Sequence, residues 1–251
     1  MKAIIPVAGY ATRMYPLTEH RPKALLPLWG KPVLDYIMAQ IYRLPEIDHV
    51  YVVSNARFYA QFCDWAKGWT SVPLTVLDDG STDNATRRGA IGAIRLALEA
   101  GQIDDEVFVV AGDNYFTYDL REQRDFFRKT GCDTLAGKES DDYEALKSFA
   151  VAKLDAQGKV LELVEKPAQP ASNIAIYASY FYRRDTVPLF KEYLDAGENP
   201  DPPGAFPQWL HTRRDVYAYR INGDSYDIGT LAIYEAMNKE SNKDIREEQH
   251  P

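Results

Sequence analysis

The apolar positions of this chain fall into short β-branched runs separated by stretches of helical spacing. Ala3-Ile4-Ile5-Pro6-Val7, His49 to Ser54, Leu74 to Leu77 and Glu106 to Ala111 each read as a buried strand. Between them, Val33, Leu34, Ile37, Met38 and Ile41 recur at helical intervals behind Pro32, which suits a first helical turn. Phe58, Tyr59, Phe62 and Trp65 mark a second apolar helix face, with Asn55 as its expected cap, and Gly89 to Gly101 reads as a third helix. This β-α-β-α-β order predicts a mostly parallel sheet with helices on both faces, where ligands bind beyond the carboxyl ends of the strands. After residue 131 strand patterns dominate: Asp133–Ala136, Phe149–Leu154, Val160–Val164 and Ile174–Tyr182, with a hairpin turn at Ala156-Gln157-Gly158-Lys159. Asp119 and Asp185 are placed to cap helices. A final strand, Val216–Ile221, precedes a helix that starts near Thr230.

Composition narrows the class. The 251 residues suit one large α/β domain, here divided into residues 1–130, a strand-rich 131–240 and a charged tail, 241–251, expected to fray. No apolar run approaches the roughly 20 residues of a membrane span, and the opening run is too short for a secretory signal, which predicts a cytoplasmic protein. The two cysteines, Cys63 and Cys132, lack metal-type spacing and read as reduced packing residues. Formal net charge is -8, so the cations Arg13, Arg21, Lys23 and Lys31, clustered after the first strand, stand against an acidic background. That pattern suits one particular polyanion and excludes a general nucleic-acid binder.

The loop Ala8-Gly9-Tyr10-Ala11-Thr12-Arg13 brings small residues and backbone amides to a strand end, which fits a triphosphate gripped by Arg and Lys. Gly89 and Gly92 either expose amides at the positive end of a helix dipole or permit close helix–sheet packing. Asp113 ends the strand at 106–111 beside Gly112, a suitable place to hold Mg²⁺ against phosphate oxygens, although Asp and Asn are also ordinary turn residues. Glu165 and Lys166, adjacent in an extended stretch, point to opposite faces and also fit a surface pair.

AGYATRMYPLTEHRPKALLPLWGKP resembles the signature A-G-x-G-T-R-x-x-P-L-T…P-K-x-L-x-P…K-P of the sugar-1-phosphate nucleotidyltransferases, with Pro6-Val7-Ala8-Gly9 most like the uridylyl branch. Ala11 stands where that family has its second glycine. AGDNYFTYDL, VEKP followed by SNIAIYASYFYRRD, and SYDIGT resemble three further family motifs, with Ala178-Ser179 in the region of the usual glycine and Tyr226 out of the register of the usual tryptophan. The resemblance implies a Rossmann-like three-layer α/β sandwich with a β-rich acceptor-binding sub-region. It implies nucleotide contacts from Ala8, Gly9, Ala11, Thr12, Gly89 and Gly92, and Mg²⁺ ligation by Asp113 and Asp227. Arg13 would meet the leaving pyrophosphate, Lys23 the α-phosphate, Lys166 the acceptor phosphate, and Glu165 with Asn173 the sugar. The expected reaction joins an NTP, UTP or dTTP foremost, to a sugar 1-phosphate and releases pyrophosphate. Two alternatives stay open: CTP-dependent transfer to a non-sugar phosphate monoester, and an idle nucleotide-binding regulator of the same fold. The expected partners are small molecules, without nucleic acid or membrane; a homo-oligomer is left open.

Overall fold

A computed structural model describes residues 1–240; the tail expected to fray, 241–251, lies outside the described residues. In chain order the first half carries β1 (Lys2–Pro6), β2 (Pro27–Leu28), β3 (Lys31–Pro32), α1 (Val33–Ile41), β4 (His49–Ser54), α2 (Tyr59–Ala66), β5 (Leu74–Asp78), α3 (Gly89–Ala100), β6 (Val107–Val110), β7 (Asn114–Phe116) and α4 (Leu120–Thr130). The second half carries β8 (Asp133–Glu139), α5 (Tyr143–Leu146), β9 (Ala150–Leu154), β10 (Val160–Glu165), β11 (Ile174–Tyr182), α6 (Val187–Asp195), α7 (Ala205–Leu210), β12 (Val216–Arg220), β13 (Ser225–Asp227) and α8 (Leu231–Glu240).

Strands β6, β1, β4 and β5 lie side by side and parallel, the arrangement expected of near-continuous apolar strands covered on both faces. Side chains alternate across this sheet. Ile4, Val53 and Val109 face a core shared with α3, α6 and α7. Ala3, Ile5, Val52 and Val110 face a second core shared with α1, α2 and α4. The result is three layers. β11 extends the sheet antiparallel to β6, and β8 and β12 continue it on the far side of β11. The strand-rich half therefore shares the sheet of the first half.

The arrangement around β11 positions the site. One edge of β11 pairs with β8. The other edge pairs with β9 through Ile174–Ile176 and with β6 through Ser179–Tyr182. The sheet forks there, and a β-bulge between Tyr177 and Tyr180 sits at the fork.

Two expected caps are corrected. Asn55 does not cap α2, whose N-cap is Phe58; its Oδ1 accepts from the Phe58 amide in the preceding turn, and its Nδ2 donates to the Ala8 carbonyl. Asp185 lies inside a short 3₁₀ turn and pairs with Arg183 and Arg214, while Thr186 precedes α6. Asp119 does cap α4, accepting from the Arg121 amide.

Candidate active site

A cleft of about 280 Å³ opens in the fork. Its walls come from Ala8 and Gly9 after β1, Ala111 and Asp113 after β6, Ala150 on β9, Glu165 and Lys166 at the end of β10, and Tyr177 and Ala178 at the bulge.

The opening loop is braced from several sides. The Asn55 side chain holds the Ala8 carbonyl, the Thr18 hydroxyl donates to the Ala11 carbonyl, and the Tyr10 hydroxyl donates to the Ser81 carbonyl. Among the described residues, no backbone amide from Ala8 to Ala11 donates to a protein acceptor. Ala11 adopts the left-handed conformation (φ 46°, ψ 43°), the backbone that the family glycine would supply without strain. Thr12 and Arg13 follow in a 3₁₀ turn and are exposed; Arg13 makes no ion pair among the described residues.

The two aspartates meet, although the chain separates them widely. β7 and β13 form a short antiparallel ribbon that pairs Asn114 with Asp227, and the Ile228 amide donates to the Asp113 carbonyl. Gly112 permits the approach of β6 to β1: a Cβ there would lie 2.2 Å from Val7 Cγ1. Lys23, on a 3₁₀ turn and largely buried, reaches into the pair. Its Nζ lies 2.5 Å from Asp113 Oδ2 and 3.6 Å from Asp227 Oδ1. Burial and the neighbouring Asp113 carboxylate raise the Asp227 pKa, with Lys23 and Arg13 opposing the shift. Burial works against the Lys23 ammonium, but Asp113 and Asp227 outweigh it, so its pKa is raised. An all-oxygen pair that already gathers a cation fits a hard divalent ion. Among the described residues no cluster of three or more His, Cys, Asp or Glu surrounds it, so further ligands would come from bound phosphate and water.

Glu165 and Lys166 form the other end of the cleft. Burial raises the Glu165 pKa, tempered by Lys166, whose Nζ is 3.9 Å from Oε1. Lys166 has a left-handed backbone (φ 47°) and an exposed side chain.

Several expected site residues lie elsewhere or act differently. Asn173 is exposed at the start of β11, outside the cleft lining, and its carbonyl accepts from the Ser140 amide. Gly89 lines the cleft, yet the amides of Ala90 and Ile91 donate to the Asp201 and Pro200 carbonyls, so the 199–204 loop covers the helix end. A Cβ at Gly89 would lie 2.4 Å from the Pro200 carbonyl oxygen, so that glycine makes room for the 199–204 loop and not for the sheet. Gly92 is outside the cleft lining and faces Arg88 Cβ. Ala178 faces the cleft, while Ser179 turns away to donate to Gln123. Sequence reasoning did not single out Arg87, Phe149, Tyr177 or Asp201, which also line the cleft. Arg87 and Asp201 pair at 2.6 Å, from segments that carry no motif.

A three-layer α/β fold thus brings an acid pair, a lysine and open amides together beyond the carboxyl ends of parallel strands, where such sheets bind their ligands. Comparison with known proteins makes this specific: residues 2–243 match the family model described as nucleotidyl transferase, and the chain belongs to that family. A provisionally named mannose-1-phosphate guanyltransferase of Sulfolobus acidocaldarius is 27% identical over 96% of this chain and 63% of its own length. The bifunctional protein GlmU of Methanocaldococcus jannaschii is 32% identical over 91% of this chain and 51% of its own. The chain thus spans less than two thirds of these two relatives. The UTP–glucose-1-phosphate uridylyltransferase AglF of Haloferax volcanii is 27% identical, covering 91% of both chains. Among solved structures, a provisionally named glucose-1-phosphate thymidylyltransferase from Bacillus anthracis superposes with a TM-score of 0.84 at 22% identity, over 97% of this chain and 96% of that one. That likeness concerns the fold. Among the described residues no helix is long and apolar enough to cross a membrane.

Proposed function

We propose that this chain transfers a nucleoside monophosphate from an NTP, UTP or dTTP in preference, to a sugar 1-phosphate. The observation that carries this reading is the convergence of Asp113, Asp227 and Lys23 opposite the unengaged amides of the 8–11 loop. Residues 1–130 would hold the nucleotide and 131–240 the acceptor, in a cytoplasmic protein supplied with soluble NTP.

The acceptor is already anionic at neutral pH and needs no general base. Its phosphate oxygen bonds to the α-phosphorus while the α–β bond breaks and the electron pair leaves on pyrophosphate. The protein's task is to align two anions and offset charge as it develops. Asp113 and Asp227 would hold Mg²⁺, which when bound supplies charge neutralisation and polarises phosphate oxygens. Lys23 swings from the acids toward the α-phosphate. The open amides and Arg13 receive the leaving phosphates, Lys166 the acceptor phosphate, and Glu165 accepts from acceptor hydroxyls.

The Haloferax relative, matched along nearly its whole length, supports the uridylyl assignment; the Sulfolobus relative makes GTP the competitor to include. The test is pyrophosphate release over a grid of NTPs and sugar 1-phosphates with Mg²⁺. Turnover should peak with UTP or dTTP. Asp113→Ala should lower it at least about a hundredfold, as expected for loss of a preorganised charged group, with the thermal midpoint preserved. Folded Asp113→Ala protein at full rate would refute the assignment.

A further inference from the structure

We propose that Gly204, which caps α7, and Gln208 within it are positioning residues that set where the Glu165 carboxylate and the Lys166 ammonium stand in the acceptor end of the cleft. The inference rests on the acceptor role given to Glu165 and Lys166 above. Lys166 is a non-glycine residue in the left-handed region, a backbone state that persists only where its surroundings enforce it. Two hydrogen bonds hold the backbone there, and one close approach holds the Glu165 carboxylate beside it. The Lys166 amide donates to the Phe149 carbonyl at 3.0 Å. The Glu165 amide lies on β10, the edge strand of the sheet, and donates to Gln208 Oε1 at 2.6 Å. A side-chain oxygen from α7 thus takes the place of a missing neighbouring strand.

Gly204 supplies the close approach. Its backbone is right-handed helical (φ −78°, ψ −10°), which any residue adopts, so conformation does not require glycine. Space does: a Cβ would lie 1.9 Å from Glu165 Oε2 and 2.9 Å from Ala150 Cβ. The Glu165 carboxylate occupies the room that the absent side chain leaves. Among the described residues it accepts no side-chain or backbone hydrogen bond, and its nearest cation is Lys166. Both oxygens therefore remain available to donors on an acceptor, at a height fixed by Gly204 and a backbone angle fixed by Gln208.

Steady-state kinetics on the full chain separates positioning from a structural effect. Gly204→Ala should raise KM for the sugar 1-phosphate roughly tenfold or more, a displacement worth a decade in affinity, with KM for the NTP unchanged. Gln208→Leu should raise acceptor KM about fivefold, the worth of one hydrogen bond, and Gln208→Glu, which keeps the acceptor oxygen, should restore it. An unmoved acceptor KM in Gly204→Ala would overturn the proposal. So would a parallel rise of both KM values with a lowered midpoint. A wild-type chain without turnover on any NTP and sugar-phosphate pair would instead remove the reading beneath it.

Discussion

At position 11 a methyl group sits on a left-handed backbone, at a cost of about 1–2 kcal/mol for an L-residue. Ala11→Gly removes that cost and gives back part of it through a freer unfolded chain. The expected net gain is about 0.5–1 kcal/mol, read as a higher urea midpoint at constant slope. Asp133 is the other residue under visible stress. Burial lifts its pKa to about 6, against the Arg183 amide, the Thr186 hydroxyl and the Arg214 charge, which all pull it down. A carboxyl raised in the native state holds its proton more tightly folded than unfolded. Stability therefore falls as pH rises from the ordinary carboxylate range through about 6, by an amount on the order of 3 kcal/mol. Asp133→Asn should flatten that slope in unfolding titrations across the same window. At this scale the sequence shows which residues carry charge and where the motifs stand. It does not show backbone handedness: nothing in Glu165-Lys166-Pro167 announces the left-handed turn, and Asn173 matches a motif although its strand carries it away from the cleft.

Elements were legible where hydrophobic runs are long. β4 and β11 have the bounds that their patterns predict, and Asp119 caps α4 as its place before Leu120 implies. Asp119→Ala should destabilise the fold by about 1 kcal/mol, read in chemical denaturation, through the lost bond from the Arg121 amide. The β7–β13 ribbon was not legible. Each strand has three residues, too few for a period, and their pairing is fixed by the sheet ends that carry them. Asn55 fails as a cap because α2 begins only at Tyr59: its Oδ1 still accepts from the Phe58 amide, but ahead of the helix, while its Nδ2 donates to the Ala8 carbonyl. The glycines of α3 allowed two readings, and at Gly89 neither matches: the 199–204 loop, distant in sequence, takes both the Ala90 and Ile91 amides and the space beside the glycine.

For the whole molecule, the layered sheet and the carboxyl-end site follow from strand order alone, whereas the fork beside β11 follows from nothing local. The site is built from both halves of the chain, so a ligand bound there should stabilise the fold as one unit. Saturation at about a hundredfold over Kd should add about 2.7 kcal/mol. A thermal-shift series should show that gain for UTP or dTTP with Mg²⁺, reduced when a chelator removes the ion and reduced again in Arg13→Ala.

The bulged strand has one more consequence. At about 3.4 Å per residue, β11 runs beside β9 and then β6 as a single hydrogen-bonded rod. Ala150 on β9 and Ala111 after β6, on opposite sides of the fork, are thereby gauged against the same stretch of backbone, which sets the spacing of the two strand ends that frame the cleft.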